Sequence, residues 1–250
     1  LEKIAADEMG HYKTWKRYTG QEVGPDSLKV GFYKLLVRVL GFTFVIKLME
    51  NGEDKAQAAY GAITAAIPEL AAILRDEEVH EEQLLGLLDE EMLHYASSIV
   101  LGLNDALVEL TGALAGFTLA LQNVNLIALS GLITGIAAAF SMAASEYLST
   151  RDEKTDKKPL QAAVYTGIAY IITVALLILP FLLLRNAYLS LGIALTTAVI
   201  IIALFNYYIS VAKGENFRRR FLEMAGISLG VAAFSFIISF FIRQWLGVGE

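Results

Sequence analysis

The sequence predicts an all-α protein in two parts, a helical domain over residues 1–97 and a five-span membrane domain over residues 98–250. Three observations carry this reading. Apolar stretches long enough to cross a bilayer recur five times after Ser98. No β-alternation of useful length occurs anywhere in the 250 residues. The charge is split: Leu1 to Ser98 hold 17 acidic and 10 basic residues, net −7, whereas Ile99 to Glu250 hold 9 and 10, net +1.

The N-terminal helices follow from their punctuation. Leu1–Thr19 is amphipathic and stops at Gly20. Pro25, Asp26 and Ser27 are start signals for a second helix, with Gly41 as its break. A third is expected from about Phe42 to Ala66. Pro68 suits the first turn of a fourth, which is expected to run toward the membrane near Tyr95. Residues 28–49 are apolar, but Lys34, Arg38 and Lys47 interrupt them. They read as a bundle helix able to rest on the membrane surface, not as a span.

The spans are expected at 99–121, 126–148, 160–184, 188–211 and 223–246, since a hydrocarbon core of about 30 Å needs roughly 20 apolar residues. Their links are short. Arg151, Lys154, Lys157, Lys158, Lys213 and Arg218 to Arg220 all fall on one side if the spans alternate, and the other side keeps Arg185 and Arg243. Basic loops stay in the cytosol, so the N-terminal domain is expected to be cytoplasmic and the C-terminus external.

Composition excludes several functions. Without cysteine there is no disulfide, zinc ribbon, iron–sulfur cluster or thiol catalysis. An acidic N-terminal part argues against a nucleic-acid surface. Metal ligands must come from Asp, Glu, His, Met and backbone, which favours Mn, Fe, Mg or Ca. No basic segment followed by an apolar core opens the chain, so no signal peptide is expected. The chain starts at Leu1, and a preceding helix is expected to be missing.

The acidic domain carries a repeated spacing. Glu8-x-x-His11 and Glu77-x-x-His80 each place a carboxylate and an imidazole one turn apart on one helix face. Between them Glu50 and Glu53 are also three apart. Di-iron bundles use this arrangement, because carboxylates bridge two hard cations while each His caps one. Charged helix faces contain such pairs by chance, and a single pair would decide nothing. Two pairs with a Glu-x-x-Glu between them favour the metal reading. Residues 1–95 resemble the rubrerythrin and ferritin-like family on these motifs, which implies a dinuclear Fe or Mn site at Glu8, His11, Glu50, Glu53, Glu77 and His80. That family's first helix, with its own Glu, is lacking here, so a partner subunit or a preceding segment is expected to complete the bundle. Glu91-x-x-His94, just before the first span, has two readings: a relay toward the membrane, or a solvated helix end, which is favoured.

Acids inside spans are expensive and mark a pathway. Asp105 and Glu109 are four apart in the first span, beside Asn104. Met142 and Glu146 are four apart in the second, beside Ser141 and Ser145. A lone Met is usually packing, and Asp105 and Glu146 have a blander reading as helix-end groups. Gly112 and Gly116 suit a close helix pair. The stretches GLNDALVELTGALAG (102–116) and GLITGIAAAFSMAASEYLSTRDE (131–153) resemble the vacuolar iron transporter family, and the likeness extends over 95–250. The resemblance implies export of Fe2+ or Mn2+ from the cytosol, coupled to protons, by a homodimer with its path at the interface. It also implies that Asp105 and Met142 are intramembrane metal ligands and that Glu146 is an acid at the cytoplasmic mouth, with Glu109 beside the path. The helical metal-binding insert of plant-type members is replaced here by the short STRDEKTDKKP. The N-terminal domain is therefore expected to capture the metal. The competing expectation is a membrane-anchored di-iron ferroxidase or peroxidase, with the spans as an anchor.

Overall fold

A computed structural model describes residues 2–42, 44–49, 69–85, 90–153 and 156–246. Among the described residues every regular element is helical. The chain forms two compact units, Leu1–Asp89 with Val211–Glu215, and Glu90–Ser210 with Asn216–Glu250.

In the first unit, α1 is Glu2–Thr19 and α2 is Ser27–Leu40; α3 comprises residues 44–49, and α4 is Leu70–Leu85. Asp26 caps α2 by accepting hydrogen bonds from the backbone N–H groups of Leu28 (3.0 Å) and Lys29 (3.2 Å). Such a side chain satisfies donors that the helix cannot. Gly41 ends α2 at φ 88°, a conformation that costs glycine little. Phe44, Val45, Ile46, Leu70 and Ile73 are buried. α1 and α4 run antiparallel, because Asp7 meets His80, His11 meets Asp76, and Tyr18 meets Glu69. At the last of these, Tyr18 Oη and Arg17 Nη2 donate to the Glu69 carboxylate at 2.5 and 2.9 Å. The third and fourth helices expected from sequence, 42–66 and 68–95, fall partly outside the described residues.

The second unit holds α5 (Glu90–Leu121), α6 (Val124–Asp152), α7 (Pro159–Leu183), α8 (Ala187–Lys213) and α9 (Phe217–Leu246). All five are long and apolar enough to cross a membrane. The starts of α6, α8 and α9 are side-chain capped. Asn123 accepts from the N–H groups of Asn125 and Leu126, Asn186 from Leu189, and Asn216 from Arg219. α5 packs against α6, α7 and α9, burying Leu107, Leu110, Leu114, Ile127, Tyr170, Leu177, Ile178 and Phe181. Within lipid this packing, rather than escape from water, holds helices together, so small residues at crossings matter. A Cβ on Gly102 would sit 2.4 Å from the Thr166 carbonyl oxygen of α7. One on Gly112 would meet Val231 of α9 at 2.9 Å, and one on Gly116 would meet the Ser239 hydroxyl at 2.9 Å. The Gly112–Gly116 pair is thus a helix-crossing surface.

Candidate metal sites

In the first unit, antiparallel pairing of α1 and α4 brings both Glu-x-x-His motifs together. His11 and His80 are buried, with ring centroids 5.9 Å apart. Each imidazole is held by the opposite helix. His80 Nε2 lies 3.1 Å from Asp7 Oδ2, and His11 Nε2 lies 3.3 Å from Asp76 Oδ2. With the proton on Nε2, where it can donate to these carboxylates, Nδ1 is left with its lone pair. Both Nδ1 atoms are buried and have no hydrogen-bond partner.

What these nitrogens face is negative. His80 Nδ1 is 3.3 Å from Glu8 Oε1. His11 Nδ1 is 3.4 Å from Glu77 Oε1 and 3.7 Å from Glu8 Oε2. Ligand atoms from Glu8, Glu77 and His80 all lie within 4.8 Å of one another. In that tautomer, lone pairs and carboxylate oxygens converge without a donor between them. A cation with metal–ligand bonds of about 2 Å satisfies such a cluster after small side-chain movements. Burial pushes the Glu77 carboxyl above its usual range, and the Glu8 charge adds to this; His11 and His80 pull it back.

Asp7 and Asp76 were missed by the spacing argument, although the signal was present: both motifs read Asp-Glu-x-x-His. An aspartate that takes the far nitrogen of a ligating histidine fixes its tautomer and orientation. Glu50 and Glu53 lie outside the described residues. Glu91 and His94 fall in the first turns of α5, and their side chains also lie outside the description.

The membrane unit has a polar stripe. Ser98, Gly102, Asp105, Glu109, Gly112 and Gly116 follow one another down one face of α5 at helical spacing. Ser98 Oγ donates to Glu146 Oε1 of α6 at 2.5 Å. Ser98 O accepts from Thr166 Oγ1 of α7 at 2.9 Å. Asp105 lies seven residues, about 10 Å, further along α5. One turn beyond it, Glu109 accepts a hydrogen bond from Tyr170 Oη at 2.7 Å. Glu146 is therefore tied to the start of the stripe, whereas Asp105 and Glu109 lie deeper. Met142 packs at the edge of the core, half-buried. Tyr170 is fully buried in α7 and was not singled out from sequence. Its signal was a phenol well inside a mostly apolar span, a group that needs a partner when buried.

At the end of α5 that carries Ser98, Tyr95 Oη donates to Gln161 Oε1 at 2.8 Å and accepts from the Lys158 N–H at 3.0 Å. Lys157 Nζ donates to Ser97 Oγ at 2.5 Å. These bonds draw the charged α6–α7 link against the helix that bears the acids.

Residues 96–158 match the sequence model of the VIT family. The match covers most of α5, all of α6 and their link to α7, and so contains Asp105, Glu109, Met142 and Glu146. With five helices of membrane-spanning length, it supports a VIT-type membrane domain in an integral membrane protein. Such a domain implies membrane transport of metal ions. The comparison with curated proteins found no match.

Proposed function

We propose that this protein exports Fe2+ or Mn2+ from the cytosol in exchange for protons, and that a ferritin-like N-terminal domain captures the metal first. The observation that carries the proposal is the acid stripe of α5. Asp105 and Glu109 stand one turn apart inside a membrane-spanning helix, within the segment that matches the VIT family. Two carboxylates this close in a low-dielectric span favour occupancy by a divalent cation or by protons, and alternation between the two is an antiport cycle.

The remaining residues take roles that follow from position. Glu146, held by Ser98, receives ions at the mouth. Asp105 and Glu109 pass them inward, and Met142 supplies a soft ligand that favours Fe2+ and Mn2+ over Ca2+ and Mg2+. Glu8, Glu77, His11 and His80 form the cytoplasmic capture site. Fe2+ and Mn2+ are cargo in this scheme. The basic loops favour an N-terminal domain in the cytosol. A homodimer with its path at the interface is the assembly that the vacuolar iron transporter resemblance implies.

The test is flux of Fe2+ and Mn2+ into proteoliposomes, with and without a pH gradient. Wild type is expected to show gradient-dependent flux and Asp105→Asn none, while Asp105→Asn still binds metal at the N-terminal site. Normal flux in Asp105→Asn would overturn the pathway.

A second reading is favoured by the paired, buried histidines: a membrane-anchored di-iron ferroxidase or peroxidase. It predicts oxygen or peroxide consumption on Fe2+ addition, abolished by Glu77→Ala with His80→Ala and indifferent to Asp105→Asn.

A further inference from the structure

The helix α2 presents an apolar stripe to solvent. Leu28 is 86% exposed, Phe32 55% and Leu35 59%. Their spacing of four and then three residues puts them on one face. Tyr33, Leu36 and Leu40, on another side, are the partly buried positions among the described residues of the helix. Burying these residues therefore does not account for the exposed stripe. Exposed apolar surface of this kind, rimmed by polar residues, marks an interaction site.

Charge identifies the occupant. Between Ser27 and Leu40 there are three basic residues, Lys29, Lys34 and Arg38, and no acid. All three are exposed. The surrounding sequence has the opposite sign, net −7 from Leu1 to Ser98. A short apolar stripe flanked by cations is the pattern of a helix that lies in the headgroup region of an anionic bilayer. A second copy of α2 fits poorly, because a symmetric pairing would oppose three cations to three cations with no acid in either helix. With 14 residues, α2 is about 21 Å long, too short to cross a hydrocarbon core of about 30 Å. The chain is already committed to a bilayer through α5 to α9, so the local lipid concentration is high.

We propose that α2 is a membrane-surface helix, which buries Leu28, Phe32 and Leu35 in the bilayer interface and binds anionic phospholipid headgroups through Lys29, Lys34 and Arg38. The Asp26 cap favours the helix before any lipid is present, since it satisfies two N–H groups at the start of α2. The assignment needs no metal and is independent of transport.

The absence of cysteine makes a direct test simple. Single nitroxide labels are placed at Leu28→Cys, Phe32→Cys, Leu35→Cys and Lys34→Cys in the full chain. The protein is reconstituted in vesicles of phosphatidylcholine with phosphatidylglycerol, or of phosphatidylcholine alone. Collision with oxygen reports the lipid phase, and collision with a water-soluble nickel chelate reports water. In the anionic vesicles, labels at 28, 32 and 35 are expected to meet the nickel chelate several-fold less than the label at 34, and oxygen more. Lys29→Glu with Lys34→Glu and Arg38→Glu should raise nickel access at 28, 32 and 35 several-fold. High nickel access at all positions in the anionic vesicles would overturn the proposal. Dipolar broadening between labels of two copies, with low access to both reagents, would show that a second chain covers the face. Equal protection in phosphatidylcholine alone would overturn the anionic-lipid assignment.

Discussion

His80 Nε2 lies 3.1 Å from Asp7 Oδ2, on the helix that antiparallel pairing brings alongside. The mirror contact, His11 to Asp76 at 3.3 Å, makes the arrangement nearly two-fold symmetric. Each helix supplies a histidine to the candidate metal site and an aspartate to the other helix's histidine. The outer nitrogens face these aspartates, so at these two rings the inner nitrogens are the ones left to a cation.

The first prediction follows from that division of labour. Asp7→Ala removes no metal-facing atom, yet it frees the His80 ring to change tautomer and turn. Mn2+ affinity of the N-terminal site is expected to fall about 10–100-fold, the usual cost of losing such a partner. Asp76→Ala should do the same through His11. Calorimetric titration of the full chain checks both. An affinity change below twofold would mean that the rings are held by packing alone.

How much of this was legible depended on the range of the interaction. The five spans were readable because length and apolarity are local properties, and α5 to α9 begin and end within a few residues of the expected bounds, except that α5 starts at Glu90 and α9 at Phe217. The Glu8/His11 and Glu77/His80 pairs were readable because i and i+3 share a face. That the two pairs meet was not, since 65 or more residues separate the partners. Tyr170 was missed for the same reason. Its partner Glu109 is 61 residues away, and only the packing of α7 on α5 joins them. That residues 28–49 could rest on a membrane surface was legible, but which of their apolar side chains stay exposed was not, because an apolar run looks the same whether its partner is protein or lipid.

A second prediction concerns pH. Burial and the Glu8 charge hold the Glu77 carboxyl above its ordinary range. The folded metal-free state therefore binds more protons at this group than the unfolded state does. Its contribution to stability is full below the ordinary carboxylate range and is lost as pH rises through the raised value. Saturating Mn2+ should abolish that loss, because the cation replaces the proton. Thermal unfolding of the N-terminal unit, followed from about pH 4 to about pH 8, should show a decline without metal. The decline should be absent both with saturating Mn2+ and in Glu77→Gln. A metal-free protein that gains stability across this window would contradict the assignment.

A third prediction concerns the pathway. Tyr170→Phe deletes one hydroxyl and leaves the ring volume in place. It removes the donor to Glu109, and a hydrogen bond to a charged group contributes about 1.5–3 kcal/mol. Metal flux should fall roughly tenfold, and the pH dependence of flux should move. Glu109→Gln on top of Tyr170→Phe should add little, because both act on one bond. Additive losses would show that Tyr170 supports the fold rather than Glu109.

The last prediction tests the frame that carries the acids. At Gly102 an added Cβ would lie 2.4 Å from a backbone oxygen of Thr166, which cannot rotate away. Gly102→Ala must therefore push α7 off α5, and overpacking of this kind costs about 1–3 kcal/mol. Gly192, in α8, has nothing within 4 Å of the same added atom. There, alanine should be neutral or stabilising by up to about 1 kcal/mol, through helix propensity alone. The two variants differ only in what lies opposite the glycine. Thermal unfolding in detergent should show a lowered midpoint for Gly102→Ala and an unchanged or raised one for Gly192→Ala. Flux should fall in Gly102→Ala as well, because moving α7 separates Tyr170 from Glu109 and Thr166 from Ser98, whose hydroxyl holds Glu146. Equal midpoints for the two variants would mean that α5 and α7 are not in this close register.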